Sequence, residues 1–467
     1  MLFSSSVFLF LFLPVVLLVY YLPFRKWRQG QNIFLTLASL FFYAWGEPWF
    51  VLVMMGSIVA NYLFGLWVAA WKNHGRSLRL PVTMAVICNL SILFIFKYLT
   101  FVLNNLNLLG FQLTVPIINL PIGISFFTFQ AMSYVLDVAR GRGQAQKSLL
   151  NVGLYISFFP QLIAGPIVKY ETVAEEILHR RENWDDFTAG VQRFLMGLGK
   201  KLILSNQLAV VADAAFNHGQ PQSVAFAWLG AVCYILQLYY DFGGYSDMAI
   251  GLGRMFGFHF LENFDYPYIS TSVTEFWRRW HISLTSWFRD YVYFPLGGSR
   301  VDKKWKVVRN IFVVWLLTGI WHGASWNFLV WGLYFAVLVI LEKAFLGKLL
   351  EKLPAAIQHI YTLFLVLVSW AVFAVEDFGH LGAYLAAMFG GASGGLYNEN
   401  VGYYFTSFLP MLIIGCMAAT PLAAKLWAKL PVKVVKVILP VVLLAGLIFS
   451  TAYLVDATYN PFLYFRF

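Results

Sequence analysis

The chain has 467 residues, of which 60% are hydrophobic, 19% aromatic and only 12% charged, with a formal net charge of +11; its mean hydropathy is +0.69. This composition excludes a soluble globular domain and a disordered chain, and describes an all-α polytopic protein whose solvent is the lipid bilayer. The positive charge does not point to nucleic acid, because Lys and Arg fall in short clusters between apolar spans, the pattern that orients membrane helices.

In chain order, the opening MLFSSSVFLFLFLPVVLLVYYLP lacks a basic leader and a small-residue cleavage site, so it reads as a first transmembrane helix rather than a signal peptide. Apolar spans are expected at 7–23, 33–45, 49–71, 80–96, 117–138, 202–216, 225–251, 307–320, 324–341, 357–375, 402–422 and 434–455. Basic clusters mark one side: Arg25, Lys26 and Arg28; Lys72, Arg76 and Arg79; Arg140, Arg142 and Lys147; then Arg300 to Arg309, Lys343 to Lys352 and Lys425 to Lys436. The opposite connections, 46–48, 104–116, 217–223 and 376–401, are nearly free of Lys and Arg. That asymmetry predicts both termini outside the cytoplasm. Lys97 breaks the pattern and is expected to snorkel from the outer end of its helix.

Two stretches do not read as ordinary spans. Residues 149–168 carry Pro160, Gly165 and Pro166 between cationic regions and suggest a re-entrant or in-plane element. Residues 259–300 mix aromatics with Arg, Asp, Glu and His, and the helical spacing of Phe276, Trp280, Leu284, Trp287 and Phe288 predicts an interfacial amphipathic helix. Gly390 to Gly395 reads as a flexible outer loop. Cys88, Cys233 and Cys416 are isolated in apolar segments, with no CxxC or metal spacing, and read as small buried hydrophobes.

The stretch between Arg309 and Lys343 organises the rest. As one straight helix it would be about 50 Å long, against a hydrocarbon core of about 30 Å. Both ends are basic, so it is expected to enter and return on legs of roughly 12 to 16 residues, too short for a full crossing. The turn from Gly319 to Asn327 would then lie recessed in the membrane, with His322 at its centre. A histidine at such a break is a general-base candidate, since its unperturbed pKa lies near about 6.5; the alternative is a packing histidine bonded to a carbonyl.

Metalloprotease, P-loop and GxSxG patterns are missing, and no metal site is expected. His281, in Trp277-Arg278-Arg279-Trp280-His281, is a second candidate; its neighbours Arg278 and Arg279 could meet phosphates, or the histidine could belong to an interfacial helix face. Gln237, Tyr239, Asp241 and Asp247 bring polar groups into one span, where a diglycine, Gly243-Gly244, is expected to break the helix. The two carboxylates could bind a cation or orient a histidine, but pairing with Lys or Arg is the safer reading.

Asn263-Phe264 with Pro267-Tyr268, EFWRRWHISLTSWFRDYVYFPLGGSR and GIWHGASWNFLVWG resemble the membrane-bound O-acyltransferases, and more narrowly their bacterial alginate-O-acetylation branch. LPIGISFFTFQAMSYVLDVARG, FFPQLIAGPI and LYYDFGGYSDMAIGLG extend the resemblance over roughly residues 1–380 of a single domain, 1–467; residues 381–467 match only in general character. It implies a multi-helix fold with re-entrant and interfacial helices around a central channel, about 11–12 membrane crossings, and a bacterial cytoplasmic-membrane location. It places the family's histidines on His322 and His281; Trp321, Asn327, Gln237, Tyr239, Asp241, Asn263, Trp280, Arg278 and Arg279 are the substrate contacts expected around them from the sequence. It further implies transfer of an acyl group, usually acetyl from acetyl-CoA as donor substrate, toward a cell-surface polysaccharide, through an extracytoplasmic esterase-like partner of the SGNH type. No bound cofactor is expected. The aromatic end, Asn460 to Phe467, reads as an interfacial anchor or as a tail reaching the site with Tyr464. The rival reading is a transporter or flippase using Asp241 and Asp247 as coupling-ion sites.

Overall fold

The computed structural model describes residues 1–217 and 223–456, so the Tyr464 tail lies outside the described residues. Helices account for the regular structure, and no strand occurs among the described residues. Eight described helices are long and apolar enough to cross a membrane: Phe50–Asn73, Arg79–Leu108, Trp184–Phe216, Val224–Met255, Trp326–Leu350, Ala355–Ala374, Glu399–Ala418 and Val432–Asp456. The remaining expected spans are shorter or more polar helices, such as Phe8–Tyr21, Arg28–Ala44, Ile124–Arg140 and Lys304–His322. Apolar periodicity located these helices; their lengths follow from caps and packing.

The chain divides into two compact units, Met1–Phe194 with Ser246–Leu261, and Leu195–Tyr245 with Glu262 onward. The first is centred on Ile124–Arg140, which is buried along most of its length. Nearby, Asn61 and Asn89 exchange side-chain amide bonds of 3.0 and 2.8 Å, joining two membrane helices through fully satisfied polar groups. Residues 149–168 form the short helix Leu149–Ser157 and one further turn at Phe159–Leu162, almost wholly buried within this unit. Lys97 does not snorkel. It is buried, with Nζ donating to Ser125 Oγ at 3.2 Å.

The second unit is built on a continuous aromatic core that includes Trp277, Trp280, Trp315, Trp331 and Trp370. Here the helix Val224–Met255 runs unbroken through Gly243 and Gly244. The diglycine serves close approach instead: a Cβ on Gly244 would lie 2.7 Å from the Gly197 carbonyl oxygen. The stretch from Gly390 to Gly395 is tied down rather than loose, since Val224 N donates to Gly395 O at 3.0 Å and Ala225 N to Leu396 O at 3.1 Å.

Four of the buried charged residues sit at helix irregularities. Lys97, Lys201, Asp290 and Glu342 are buried, and each sits on a π-helical turn. An extra residue in the turn re-aims the side chain and loosens the ladder locally, which lets a charged group reach a partner that regular helix spacing would miss.

Candidate functional site

His322, His281 and the substrate contacts expected around them lie in the second unit, whereas Asp247 belongs to the first. The hairpin that carries His322 turns over Gly323 to Ser325, between Lys304–His322 and Trp326–Leu350. The turn is therefore tighter than the expected Gly319 to Asn327. The legs are also longer than expected: the first has 19 residues and the second, with 25, is long enough to cross a membrane. The legs touch at glycines. A Cβ on Gly319 would stand 2.6 Å from Phe328 O, and one on Gly332 2.6 Å from Trp315 O, so only residues without side chains allow this approach.

His322 is the last residue of the first leg and is 6% exposed. Aromatic rings meet its imidazole edge-on: Trp331 at 4.9 Å, Trp321 at 5.1 Å and Phe373 at 5.4 Å between ring centroids. Asn327, on the second leg, donates from Nδ2 to Phe373 O at 3.0 Å and thereby locks that ring's backbone against the turn. Buried among these rings, the Nε1–H groups of Trp277, Trp331 and Trp370 and the Oδ1 of Asn327 have no hydrogen-bond partner among the described residues. Unmatched donors in an apolar wall cost about 1–3 kcal/mol each, a cost that folds tolerate mainly where a ligand or water uses the group.

His281 occupies a different setting from the expected one. No single amphipathic helix spans Phe276 to Phe288; two seven-residue helices, Val273–Arg279 and Ile282–Phe288, meet at Trp280 and His281. His281 has φ +45° and is 1% exposed, so it is a buried corner and not an interfacial face. Only Tyr266 shares a positive φ among the described non-glycine residues. Such a conformation is held only where the surroundings over-determine it.

Asn263 supplies that determination. Its backbone oxygen accepts from Ile282 N at 2.9 Å, and two residues on Asp265 N donates to Arg279 O at 3.0 Å, so the extended segment brackets the corner. Its side-chain Oδ1 accepts from Ser283 N at 3.2 Å, from Ser283 Oγ at 2.8 Å and from His281 Nδ1 at 3.1 Å. Because a backbone N–H can only donate, the Asn263 oxygen is an acceptor, and His281 therefore carries its proton on Nδ1. Burial holds its pKa well down, at about 3, so the ring stays neutral with its lone pair on Nε2. The Phe242 ring packs edge-on at 4.6 Å.

The helix Val273–Arg279 is fixed at both ends. At its start, Ser272 Oγ accepts from Glu275 N at 3.0 Å, and Glu275 accepts from Thr271 N at 2.9 Å, a capping pair readable in Ser272-Val273-Thr274-Glu275. Glu342, from the π turn of the second hairpin leg, accepts from Val273 N and Thr274 N, both at 2.8 Å, and from Thr274 Oγ1 at 2.6 Å. At its far end Trp277 meets Trp315 at 4.7 Å and Trp280 meets Trp370 at 5.0 Å. One short helix thus couples the corner of His281 to the hairpin of His322. The Trp321 ring is a neighbour of both imidazoles, 6.0 Å from the first and 5.1 Å from the second.

The other expected contacts divide. Tyr239 joins the same patch through Trp280, 6.3 Å away, and Tyr268, 5.5 Å away. Gln237 is buried with Oε1 unmatched among the described residues. Asp241 forms a buried ion pair with Lys201, and Asp247 pairs with Arg193 at 2.7 Å within the first unit. Arg279 is engaged by Glu275 at 2.9 Å and Asp265 at 3.0 Å, whereas Arg278 is exposed. Sequence reasoning missed Ser283, Trp331, Phe373 and Glu342. Only Glu342 carried a visible signal, as the one acid in the apolar hairpin.

A buried histidine at the end of a helix and a second at a tight corner thus lie together in one unit of a polytopic, all-helical membrane protein. The chain belongs to the membrane-bound O-acyltransferase family, whose sequence pattern matches residues 143–368; it is an O-acyltransferase. It is 42% identical over 382 residues to the probable alginate O-acetylase AlgI of Pseudomonas aeruginosa, covering 81% of this chain and 72% of that protein. The corresponding protein of Pseudomonas putida is 38% identical over 493 residues, spanning both chains in full. The peptidoglycan O-acetyltransferase of Helicobacter pylori is 34% identical, over 81% of this chain and 77% of its own.

Proposed function

We propose that this enzyme moves an acetyl group from acetyl-CoA on the cytoplasmic side of a bacterial cytoplasmic membrane to hydroxyls of an extracytoplasmic polysaccharide, by way of an esterase-like SGNH partner. Both chain termini lie on the outer side in this reading. The observation that carries it is that His322 and His281 both neighbour the Trp321 ring, in one buried patch of an O-acyltransferase. The relatives' names supply the acceptor class, since they cover an alginate acetylase and a peptidoglycan acetyltransferase.

In this scheme His322 takes the proton of the acceptor hydroxyl as its oxygen attacks the thioester carbonyl. The new C–O bond forms, the C–S bond breaks, and the proton passes to the departing thiolate. His281, neutral and pinned by Asn263, orients a reactant rather than acting as the base. The indole N–H groups of Trp331 and Trp370 are the donors available to the carbonyl oxygen as it gains charge, while Trp321 and Asn327 shape the wall. Gln237, Tyr239 and Trp280 line the approach, and Arg278 is the cation left to meet a donor phosphate. A transporter driven through Asp241 and Asp247 is disfavoured by the cations already seated on both.

The test is thiol release from acetyl-CoA by purified protein, paired with mass spectrometry of surface glycan. His322→Ala should abolish both while leaving the melting profile unchanged. Undiminished release in that variant overturns the assignment.

A further inference from the structure

Within the first unit, a groove of about 780 Å³ runs along the first helix. That size falls in the range of small-molecule sites, roughly 300–1,000 Å³. Its character changes along its length. Pro14, Leu17, Leu18 and Leu22 line it along one helix, with Phe187 opposite; Arg25, Gln31, Glu182 and Asn183 close the other end. From Pro14 to Leu22 is about 12 Å at 1.5 Å per residue, so an apolar trough opens directly onto a polar mouth. The trough is not covered by protein: Leu18 is 58% exposed, Leu22 73% and Trp184 81%.

The mouth carries net positive charge. Glu182 is the sole acid in the lining, and it is already spoken for. Arg28 reaches its two oxygens at 2.5 and 3.1 Å, Tyr20 donates to it, and Arg180 Nε stands 3.6 Å away. Two guanidinium groups, Arg28 and Arg180, thus share one carboxylate, and Arg25 adds a further positive charge to the lining. Asp186, on the following turn, is outside the lining and occupied by Asn183 and His259. Arg25 is exposed at the rim.

We propose that this groove is a specific site for an anionic phospholipid, with one hydrocarbon chain along Leu17, Leu18 and Leu22 and the phosphate on Arg25. A free phosphate has no use for the apolar trough, and a zwitterionic lipid brings no net charge to balance the mouth. Basic pockets between membrane helices on the positively flanked side select anionic headgroups for this reason, and an exposed Trp at the boundary is the usual neighbour of a headgroup.

The test uses the full chain, purified in detergent, stripped of lipid and titrated separately with phosphatidylglycerol, phosphatidylcholine, inorganic phosphate and acetyl-CoA under native mass spectrometry. Phosphatidylglycerol should be retained about fivefold more than phosphatidylcholine. Arg25→Ala should bring the two lipids level, and Leu18→Trp, which fills the trough and leaves the charges in place, should reduce both. Thermal melts of the two variants, both altered at exposed positions, check that each is folded. Equal retention of the two lipids by the unaltered chain overturns the proposal. So does an unchanged preference in Arg25→Ala, or displacement of bound lipid by phosphate or acetyl-CoA.

Discussion

The side-chain oxygen of Asn263 lies 3.1 Å from His281 Nδ1 and receives Ser283 from both its backbone and its hydroxyl. One amide therefore sets the tautomer, the ring orientation and the left-handed backbone of the second histidine. Asn263→Ala strips a buried acceptor from these donors, at a cost of about 1–3 kcal/mol. Melting temperature in detergent should drop by several degrees, and acyl transfer should fall with it. Unchanged stability would show that the corner is held by other contacts.

Trp331 tests the proposed donor to the carbonyl oxygen. Trp331→Phe keeps an aromatic ring beside His322 but removes the fused five-membered ring, and with it an indole N–H that has no acceptor among the described residues, leaving a cavity at a fully buried position. Loss of an oxyanion donor lowers turnover by about 10²-fold or more, whereas loss of an unmatched buried donor does not destabilise the fold. Thiol-release kinetics should show the lower kcat in protein that melts cooperatively at a somewhat lower temperature, the cavity accounting for the melting shift and the lost donor for the rate.

The ion pair of Lys201 and Asp241 is buried on both sides. Lys201→Met strands a carboxylate and should cost about 3–5 kcal/mol, while the double variant Lys201→Met with Asp241→Leu should recover most of it. Thermal unfolding of the single and double variants decides the matter. If Asp241 served a ligand rather than Lys201, the double variant would melt normally but the single one would not be impaired.

Glu342 acts at a distance, through the start of Val273–Arg279. Glu342→Ala removes an acceptor shared by two backbone N–H groups and one hydroxyl. Hydrogen exchange in peptides covering residues 270–283 should quicken, with the first helix, Phe8–Tyr21, unaffected. Protection that stays the same around His281 would remove Glu342 from the support of the site.

Acid should loosen the first unit through Glu182. Burial raises its pKa, but bonds from Arg28 and Tyr20 and the charge of Arg28 outweigh burial, so the net shift is downward from 4.5. A carboxylate lowered on folding contributes stability above its unfolded pKa, and the contribution is lost as pH falls through the folded value. Melting temperature measured downward from pH 7 should decline below about pH 4.5, and Glu182→Gln should flatten that decline.

Much of this protein is decided locally. Apolar runs of bilayer length, basic clusters on alternate connections and glycines where backbones must touch are written in consecutive residues, because each helix satisfies its own backbone and is selected by lipid one segment at a time. The histidines were legible for the same reason, since a polar group amid twenty apolar neighbours stands out by its cost. What the linear order did not contain is partnership. Lys201 is forty residues from Asp241, Glu342 about seventy from Thr274, and Asn263 eighteen from His281; helix packing alone made them neighbours. Periodicity also misread the corner at His281 as one helix, because aromatic spacing survives a sharp turn that a distant side chain enforces. Tertiary contacts thus decided which charges are silent pairs and which imidazole is held neutral, since ion pairing and desolvation act across space and leave no periodic trace in the chain.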